Sequence, residues 1–151
     1  MRSTLILSTA MAALLNISGF APASAAPAVT VVKVQLEDPS TADDLKKMEM
    51  KLDRDTVPAG RVRFDATNES KGLVHEMIVL KTDQDPSTLP YDAKKDRVVE
   101  AKVKSLGEVS ELQPGKSGTV TLDLKPGSYT LYCNQAGHMH QGMWTHFTVT
   151  P

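Results

Sequence analysis

Apolar and polar residues alternate along most of this chain, in short segments that are separated by turn residues. In residues 28–36 the side chains of Val32, Val34 and Leu36 fall on one face, and residues 48–52 alternate apolar and charged positions. A period of two residues is typical of a β-strand that buries one face. The same pattern predicts further strands at residues 61–68, 73–80, 119–124, 128–133 and 144–149.

The connections between these segments indicate the fold class. Pro58-Ala59-Gly60 and Lys125-Pro126-Gly127 are turn sequences, and the strands do not alternate regularly with helical patterns. Short strands divided by proline and glycine turns favour two packed β-sheets over a parallel sheet covered by helices. The pattern therefore predicts an all-β protein with a β-sandwich architecture.

One long segment departs from the strand pattern. Residues 81–109 are polar and contain Pro86 and Pro90. We expect a long crossover connection here, in which residues 92–104 form a short helix. The charged side chains of that helix are expected to form a solvated face, which is the usual arrangement for such a run.

The N-terminus has the pattern of a secretory signal peptide, with predicted cleavage after Ala25. Arg2 precedes an uncharged, mostly apolar run over residues 5–20, and the small-residue pattern Ala23-Ser24-Ala25 follows. That run is shorter than the roughly 20 residues that a membrane-spanning helix needs, and an uncleaved N-terminal anchor is the alternative. The sequence thus predicts a single exported, soluble, periplasmic domain over residues 26–151.

Composition narrows the classes of function. The chain has 151 residues with 17 basic and 18 acidic side chains, for a net charge of −1. This balance argues against nucleic-acid binding, which requires a basic surface. Its single cysteine excludes an intramolecular disulfide and any site that needs two thiolates from one chain. A lone thiol in an oxidising compartment must be buried, paired between chains or bound to a metal.

That cysteine begins the one motif with clear chemistry. Cys133, His138 and Met143 follow the spacing C-x4-H-x4-M in the connection between two predicted strands, and His75 falls on the inward face of its own strand. A thiolate, a thioether and two imidazoles suit copper in both oxidation states. Zinc rarely takes a thioether, and the motifs of haem and iron–sulfur proteins are absent from the sequence.

With these residues identified, the chain resembles the cupredoxins, the small blue copper proteins of the plastocyanin and azurin type. The matching stretches are residues 57–68, 75–80, 112–133 and 137–149, about half of the predicted mature domain. The resemblance implies a Greek-key β-sandwich that binds one type 1 copper ion. It also implies that His75, Cys133 and His138 are the strong ligands, and that Met143 is the axial ligand.

The resemblance further implies an activity. We expect a monomeric one-electron carrier rather than an enzyme. The carrier is expected to dock transiently with redox protein partners near His138. An apolar docking patch is expected around that ligand, formed by Ala136, Gly137, Met139 and Gly142. The alternative function is copper tolerance or copper delivery with the same site, for which Met77, Met139 and His140 would supply a surround rich in methionine and histidine.

The chain departs from the family pattern beside two ligands. Many cupredoxins have Asn after the upstream histidine and Ser or Thr after the cysteine, and those side chains join the two loops. Here the residues are Glu76 and Asn134. Because an ionised carboxylate only accepts, our hypothesis is that the side-chain amide of Asn134 donates to Glu76.

Each candidate ligand also has a purely structural interpretation. Cys133 alone fits a buried core thiol, His75 a packed histidine and Met143 simple packing. We expect packing roles for Met48, Met50 and Met77, and solvent exposure for His146. For His140 a surface position is favoured over a second metal site with Met139, because two side chains hold a metal poorly.

Other function classes are weaker. The histidines left after assigning the four ligands, His140 and His146, are too few for a typical additional catalytic copper centre within one chain. A Cys–His nucleophile pair lacks an accompanying oxyanion-hole motif. A domain that only keeps the fold is disfavoured because all four ligand candidates are present.

Overall fold

A computed structural model describes residues 28–38 and 48–151 of the chain. The predicted signal peptide, residues 1–25, lies outside the described residues. Within the described ranges the chain forms eleven strands and two short 3-10 turns, Pro86–Thr88 and Glu100–Lys102, with no α-helix. The strands are β1 (Thr30–Glu37), β2 (Glu49–Leu52), β3 (Thr56–Pro58), β4 (Gly60–Asn68), β5 (His75–Leu80), β6 (Tyr91–Asp92), β7 (Arg97–Val98), β8 (Ser105–Leu112), β9 (Ser117–Leu124), β10 (Gly127–Tyr132) and β11 (Trp144–Thr150).

The strands form two main sheets and one small hairpin. The first sheet has the order β2-β1-β4-β9, and the second has the order β3-β11-β10-β5-β8. Strands β6 and β7 pair only with each other. The prediction of an all-β sandwich is confirmed. No helix in the described ranges is long and apolar enough to cross a membrane.

The main core lies between the two sheets, as the alternating pattern predicts. Val32, Val34 and Leu36 of β1 are buried, and the residues between them are exposed. Phe64 of β4 meets Phe147 of β11 edge to face, with 5.2 Å between the ring centroids, so this aromatic pair joins the two sheets. Such a pair contributes about 0.5–1.5 kcal/mol beyond the burial of its area.

A second, smaller core lies on the outer side of β5 and explains why this strand does not alternate. All six residues of β5 are buried. Met77 and Val79 face the main core, whereas Ile78 and Leu80 pack in the small core. The covering residues include Leu89 and Val98 from the crossover, residues 81–104. A strand covered on both faces is buried along its whole length.

The structure corrects the prediction for residues 92–104. The expected helix is a β6–β7 hairpin followed by the three-residue turn Glu100–Lys102. Three valines in this segment lower its helix propensity, and Val98 is buried in the small core. The crossover also ends earlier than expected, because β8 begins at Ser105. The sequence pattern did not predict strands β3 and β8, because β3 has only three residues and β8 is mostly exposed.

We predict that Gly118→Ala destabilises the protein by about 1–3 kcal/mol, the usual cost of overpacking. Gly118 lies in β9 where the two sheets approach, and a Cβ there would lie 2.6 Å from Cγ1 of Val109 and 3.2 Å from Cδ2 of Leu112. The measurement is chemical denaturation of the two proteins. Gly72→Ala is the control, because a Cβ at Gly72 has no atom within 4 Å. Equal midpoints for the two variants would contradict the close approach of the sheets.

Candidate metal centre

Three predicted ligands meet at one end of the sandwich. His75 begins β5, Cys133 directly follows β10, and His138 lies in the ligand loop, residues 133–143. Antiparallel pairing of β5 with β10, in which Ile78 lies opposite Tyr132, brings the first two together across 58 residues of sequence. His75, Cys133 and His138 form a buried cluster with their ligand atoms within 4.8 Å of one another.

On both histidines, Nδ1 is the ring nitrogen that faces the other members of the cluster. Nδ1 of His75 lies 3.1 Å from Nδ1 of His138, and Sγ of Cys133 lies 3.5 Å from Nδ1 of His138 and 4.0 Å from Nδ1 of His75. A point equidistant from three atoms so arranged lies about 2 Å from each, which is the length of a bond from a metal to imidazole nitrogen or thiolate sulfur. These donor atoms therefore fit one metal ion.

Burial controls the protonation of the cluster. It raises the pKa of the Cys133 thiol to about 12 and lowers the pKa of His75 to about 4, where the charge of a protonated His138 would add to the effect. Burial likewise lowers the pKa of His138. Near neutral pH the cluster by itself is thus uncharged. A bound cation would favour the thiolate, because it compensates the buried negative charge.

Backbone hydrogen bonds close the ligand loop around the cluster. The N–H of Cys133 donates to the carbonyl of Met143 at 2.9 Å, and the N–H of Met143 donates to the carbonyl of His138 at 3.0 Å. Met143 is fully buried in the same core cluster as Cys133. Its position at the closing end of the loop is the one that the sequence spacing predicts for a fourth ligand.

Glu76 and Asn134 are in contact, but not through the predicted donor. The backbone N–H of Asn134, and not its side-chain amide, donates to Oε1 of Glu76 at 3.0 Å. The Asn134 amide is directed to the crossover, where it donates to the carbonyl of Val98. Burial raises the pKa of Glu76, the neighbouring Glu100 carboxylate raises it further, and the hydrogen bond from Asn134 opposes both.

The sulfur of Cys133 also accepts from the backbone. The N–H of Glu76 donates to Sγ at 3.4 Å. The N–H groups of Gln135 and Glu76 both lower the pKa of the thiol, against the larger effect of burial. Donors aimed at a sulfur stabilise its thiolate form. The backbone N–H groups of Glu76 and Gln135 therefore support the sulfur, and side-chain identity gives no sequence signal for such contacts.

Sequence reasoning missed Asn68, which supports the segment that leads to His75. Asn68 is fully buried, and its amide donates to the carbonyl of Leu73 at 2.8 Å and to that of Leu112 at 2.7 Å. Its side-chain oxygen accepts from the N–H of Ser70 at 2.9 Å. A single Asn at the end of a strand carries no sequence signal for this role, because its partners are backbone groups.

The remaining candidates separate into buried and exposed residues. Met48, Met50 and Met77 are buried in the main core, and His146 is exposed, so these predictions are confirmed. Met139 is 4% exposed and packs in the small core, and Gly137 is buried as well, so neither contributes to the surface patch that we expected around His138. His140 is exposed, and its ring lies against Tyr91 with 4.2 Å between the centroids.

Comparison with solved structures finds the same fold in named proteins. Na-dithionite-reduced auracyanin from the photosynthetic bacterium Roseiflexus castenholzii is 23% identical, with a TM-score of 0.57 over 81% of this chain and 97% of that chain. Auracyanin B is 24% identical, with a TM-score of 0.55 over 83% of this chain and 91% of that chain. Rusticyanin from Thiobacillus ferrooxidans is 16% identical, with a TM-score of 0.60 over 81% and 77% of the two chains.

At these identities the likeness concerns the fold, and it confirms the predicted cupredoxin-like β-sandwich. No family model matches the chain, and no curated protein sequence matches it.

We predict that Asn68→Ala lowers the free energy of unfolding by about 1–3 kcal/mol, because the carbonyl of Leu112 and the N–H of Ser70 lose a buried partner. Denaturant unfolding measures the loss, and amide exchange should show faster opening of residues 69–74. The control is Thr67→Ala, which removes only an exposed hydroxyl contact to Ser117. A loss no larger than that of the control would show that Asn68 does not hold this segment.

Proposed function

We propose that this protein is an exported type 1 copper protein that carries single electrons between redox partners. The observation that supports this most directly is the meeting of two imidazole Nδ1 atoms and one cysteine sulfur in a buried cluster. Four donors are proposed for one copper ion: His75, Cys133 and His138 in a trigonal set, and Met143 as the axial ligand.

The donor set favours copper over zinc. Structural zinc sites are usually completed by a further cysteine, histidine or carboxylate. The buried methionine Met143 stands at the closing end of the ligand loop instead, in the core cluster that contains Cys133. Copper in such a site would supply a one-electron couple, Cu(II)/Cu(I).

The protein's own residues would keep the site in one geometry. The N–H of Glu76 supports the cysteine sulfur, and the Asn134 N–H ties the ligand loop to Glu76. The two hydrogen bonds of Met143 with Cys133 and His138 keep the loop closed. Rigid ligands change little between oxidation states, so little reorganisation would oppose electron transfer, and hydrogen bonds around a metal site fix its ligands.

His138 is the proposed point of electron entry and exit. It is 8% exposed, whereas His75, Cys133 and Met143 are fully buried. Ala136, two residues earlier in the loop, is exposed. A redox partner would dock here in a small, transient interface, as is usual for electron-transfer encounters. We propose a periplasmic, soluble monomer over residues 26–151, after cleavage of the signal peptide.

The descriptions of the proteins with a similar fold support this proposal. Rusticyanin is described as a copper protein, and one auracyanin structure is of a dithionite-reduced protein. A histidine beside the cysteine would be needed to link the copper to a second, catalytic copper, but the neighbours of Cys133 are Tyr132 and Asn134. Among the described residues, one cluster of three or more His, Cys, Asp or Glu side chains could hold a metal ion. We therefore propose a carrier and not an enzyme.

Copper delivery with the same ligands is the other function that the sequence allows. Its expected signature was a methionine- and histidine-rich surround formed by Met77, Met139 and His140. Met77 is instead fully buried in the main core, and Met139 is packed beneath the crossover, away from solvent. This arrangement favours electron transfer, because the thioethers are not displayed for a second Cu(I) ion.

Copper binding tests the site itself. Titration of the protein over residues 26–151 with Cu(II) should give an intense thiolate-to-copper absorption band that saturates at one equivalent. Cys133→Ser should abolish that band, because a serine hydroxyl does not provide the sulfur orbital. A weak band with several loosely bound ions would contradict the proposed function.

A substitution at Met143 tests the axial ligand. Met143→Leu should keep the absorption band and raise the reduction potential, because an apolar side chain near the ion favours the less charged Cu(I) state. Met77→Leu is the matched control, since Met77 is equally buried and belongs to the same core cluster. Voltammetry measures both. The assignment of Met143 fails if the two variants have the same potential.

A further inference from the structure

The crossover contacts the ligand loop at several successive residues. Most of these contacts come from residues 91–98, which comprise β6, its turn and β7 and which we call the clasp hairpin. The N–H of Gly137 donates to the carbonyl of Asp96 at 2.8 Å, and Nη2 of Arg97 donates to Oε1 of Gln135 at 3.2 Å. Farther along the loop, the His140 ring lies against Tyr91. These contacts span most of the loop between Cys133 and Met143.

The side chain of Asn134 makes the tightest of these contacts. Its Oδ1 accepts from the N–H of Val98 at 2.7 Å, and its Nδ2 donates to the carbonyl of Val98 at 3.0 Å. One amide thus pairs with both backbone groups of one residue, as a neighbouring strand would. Nδ2 also donates to Oε1 of Glu100 at 2.7 Å, so both amide hydrogens have partners.

Asn134 is also joined to the other ligand-bearing strand. Its own N–H donates to Glu76, the residue after His75, and the residue itself follows Cys133. It is 2% exposed, so water does not readily replace these partners. Asn134 therefore connects three segments that are distant in sequence: β5, the ligand loop and the clasp hairpin.

The turn of the hairpin is shaped for this contact. Asp96 has a φ of 55°, in the left-handed region that Asp tolerates better than most residues. The carboxylate of Asp92 accepts from the N–H of Lys94 at 3.0 Å and fixes the start of the turn. Gly137 faces Asp96 so closely that a Cβ would lie 2.8 Å from Oδ2 of Asp96. With a φ of 79°, Gly137 suits this approach as other residues do not.

From this geometry we propose that Asn134 and the clasp hairpin act as one clasp that keeps the ligand loop closed and makes release of the bound copper slow. This inference rests on the proposed function for the copper, but the clasp itself is a property of the chain. His138 and Met143, which would hold the copper, lie on the ligand loop, and their withdrawal would require the hairpin contacts to break. Asn134 is the positioning residue of this clasp, since its amide provides the largest number of these contacts.

The first arm of the test needs no metal. In the wild-type protein we expect hydrogen exchange to be slow at the amides of Val98 and Gly137. Asn134→Ala should speed exchange at both by about tenfold or more, although Gly137 is bonded to Asp96 and not to Asn134. Faster exchange at Val98 alone would show a local hydrogen bond and overturn the clasp.

The second arm measures copper release. Protein loaded with Cu(I) is mixed with excess bathocuproine disulfonate, and the rate is read where it no longer depends on chelator concentration. Asn134→Ala should release copper about tenfold or more faster than wild type, in proportion to the opening seen by exchange.

The control is Val57→Ala, which destabilises the core at the end of β11 remote from Trp144, where Val57 pairs with Val149. If it accelerates release and Gly137 exchange as much as Asn134→Ala does, general destabilisation explains the effect and the clasp is overturned. A wild-type protein without the thiolate-to-copper band would contradict the proposed function, whereas the exchange experiment on the metal-free protein would still decide the clasp.

Discussion

Three candidate ligand atoms face one another in the buried interior of this protein, and the surrounding structure holds them in place. Nδ1 of His75, Nδ1 of His138 and Sγ of Cys133 are buried within 4.8 Å of one another. Polar atoms so placed lose their water without full replacement, and Nε2 of His75 has no hydrogen-bond partner in the described part of the chain. The apolar core between the sheets, with its Phe64–Phe147 contact, opposes this cost.

Two buried asparagines satisfy the backbone where strands end near the cluster. Asn68 pairs with backbone groups of the segment before His75, and Asn134 pairs with both backbone groups of Val98. Buried N–H and C=O groups outside a sheet need partners of this kind. The same polar pairing that makes the irregular segments compatible with burial also positions the candidate metal ligands, so stability and site geometry depend on common residues.

The crossover links the fold to the behaviour of the site. Leu89 and Val98 cover the outer face of β5, while Asp96 and Val98 hold the ligand loop through hydrogen bonds. The strand that carries His75 and the loop that carries His138 are therefore enclosed by one segment. For a proposed electron carrier this enclosure is appropriate, because His138 is the one candidate ligand with exposed surface, and His75, Cys133 and Met143 are fully buried.

The sequence by itself determined the strands that alternate, the all-β class and the candidate ligands Cys133, His138 and Met143, because each depends on local periodicity or spacing within one loop. His75 was a candidate because it falls on the inward face of its own predicted strand, and only tertiary structure placed it beside Cys133. Tertiary structure also decided the roles of Asn68 and Asn134, the donor to Glu76 and the hairpin in place of a helix at residues 92–104. Asn68 meets Leu112 across 44 residues and Asn134 meets Val98 across 36, and no local pattern records contacts between segments so far apart.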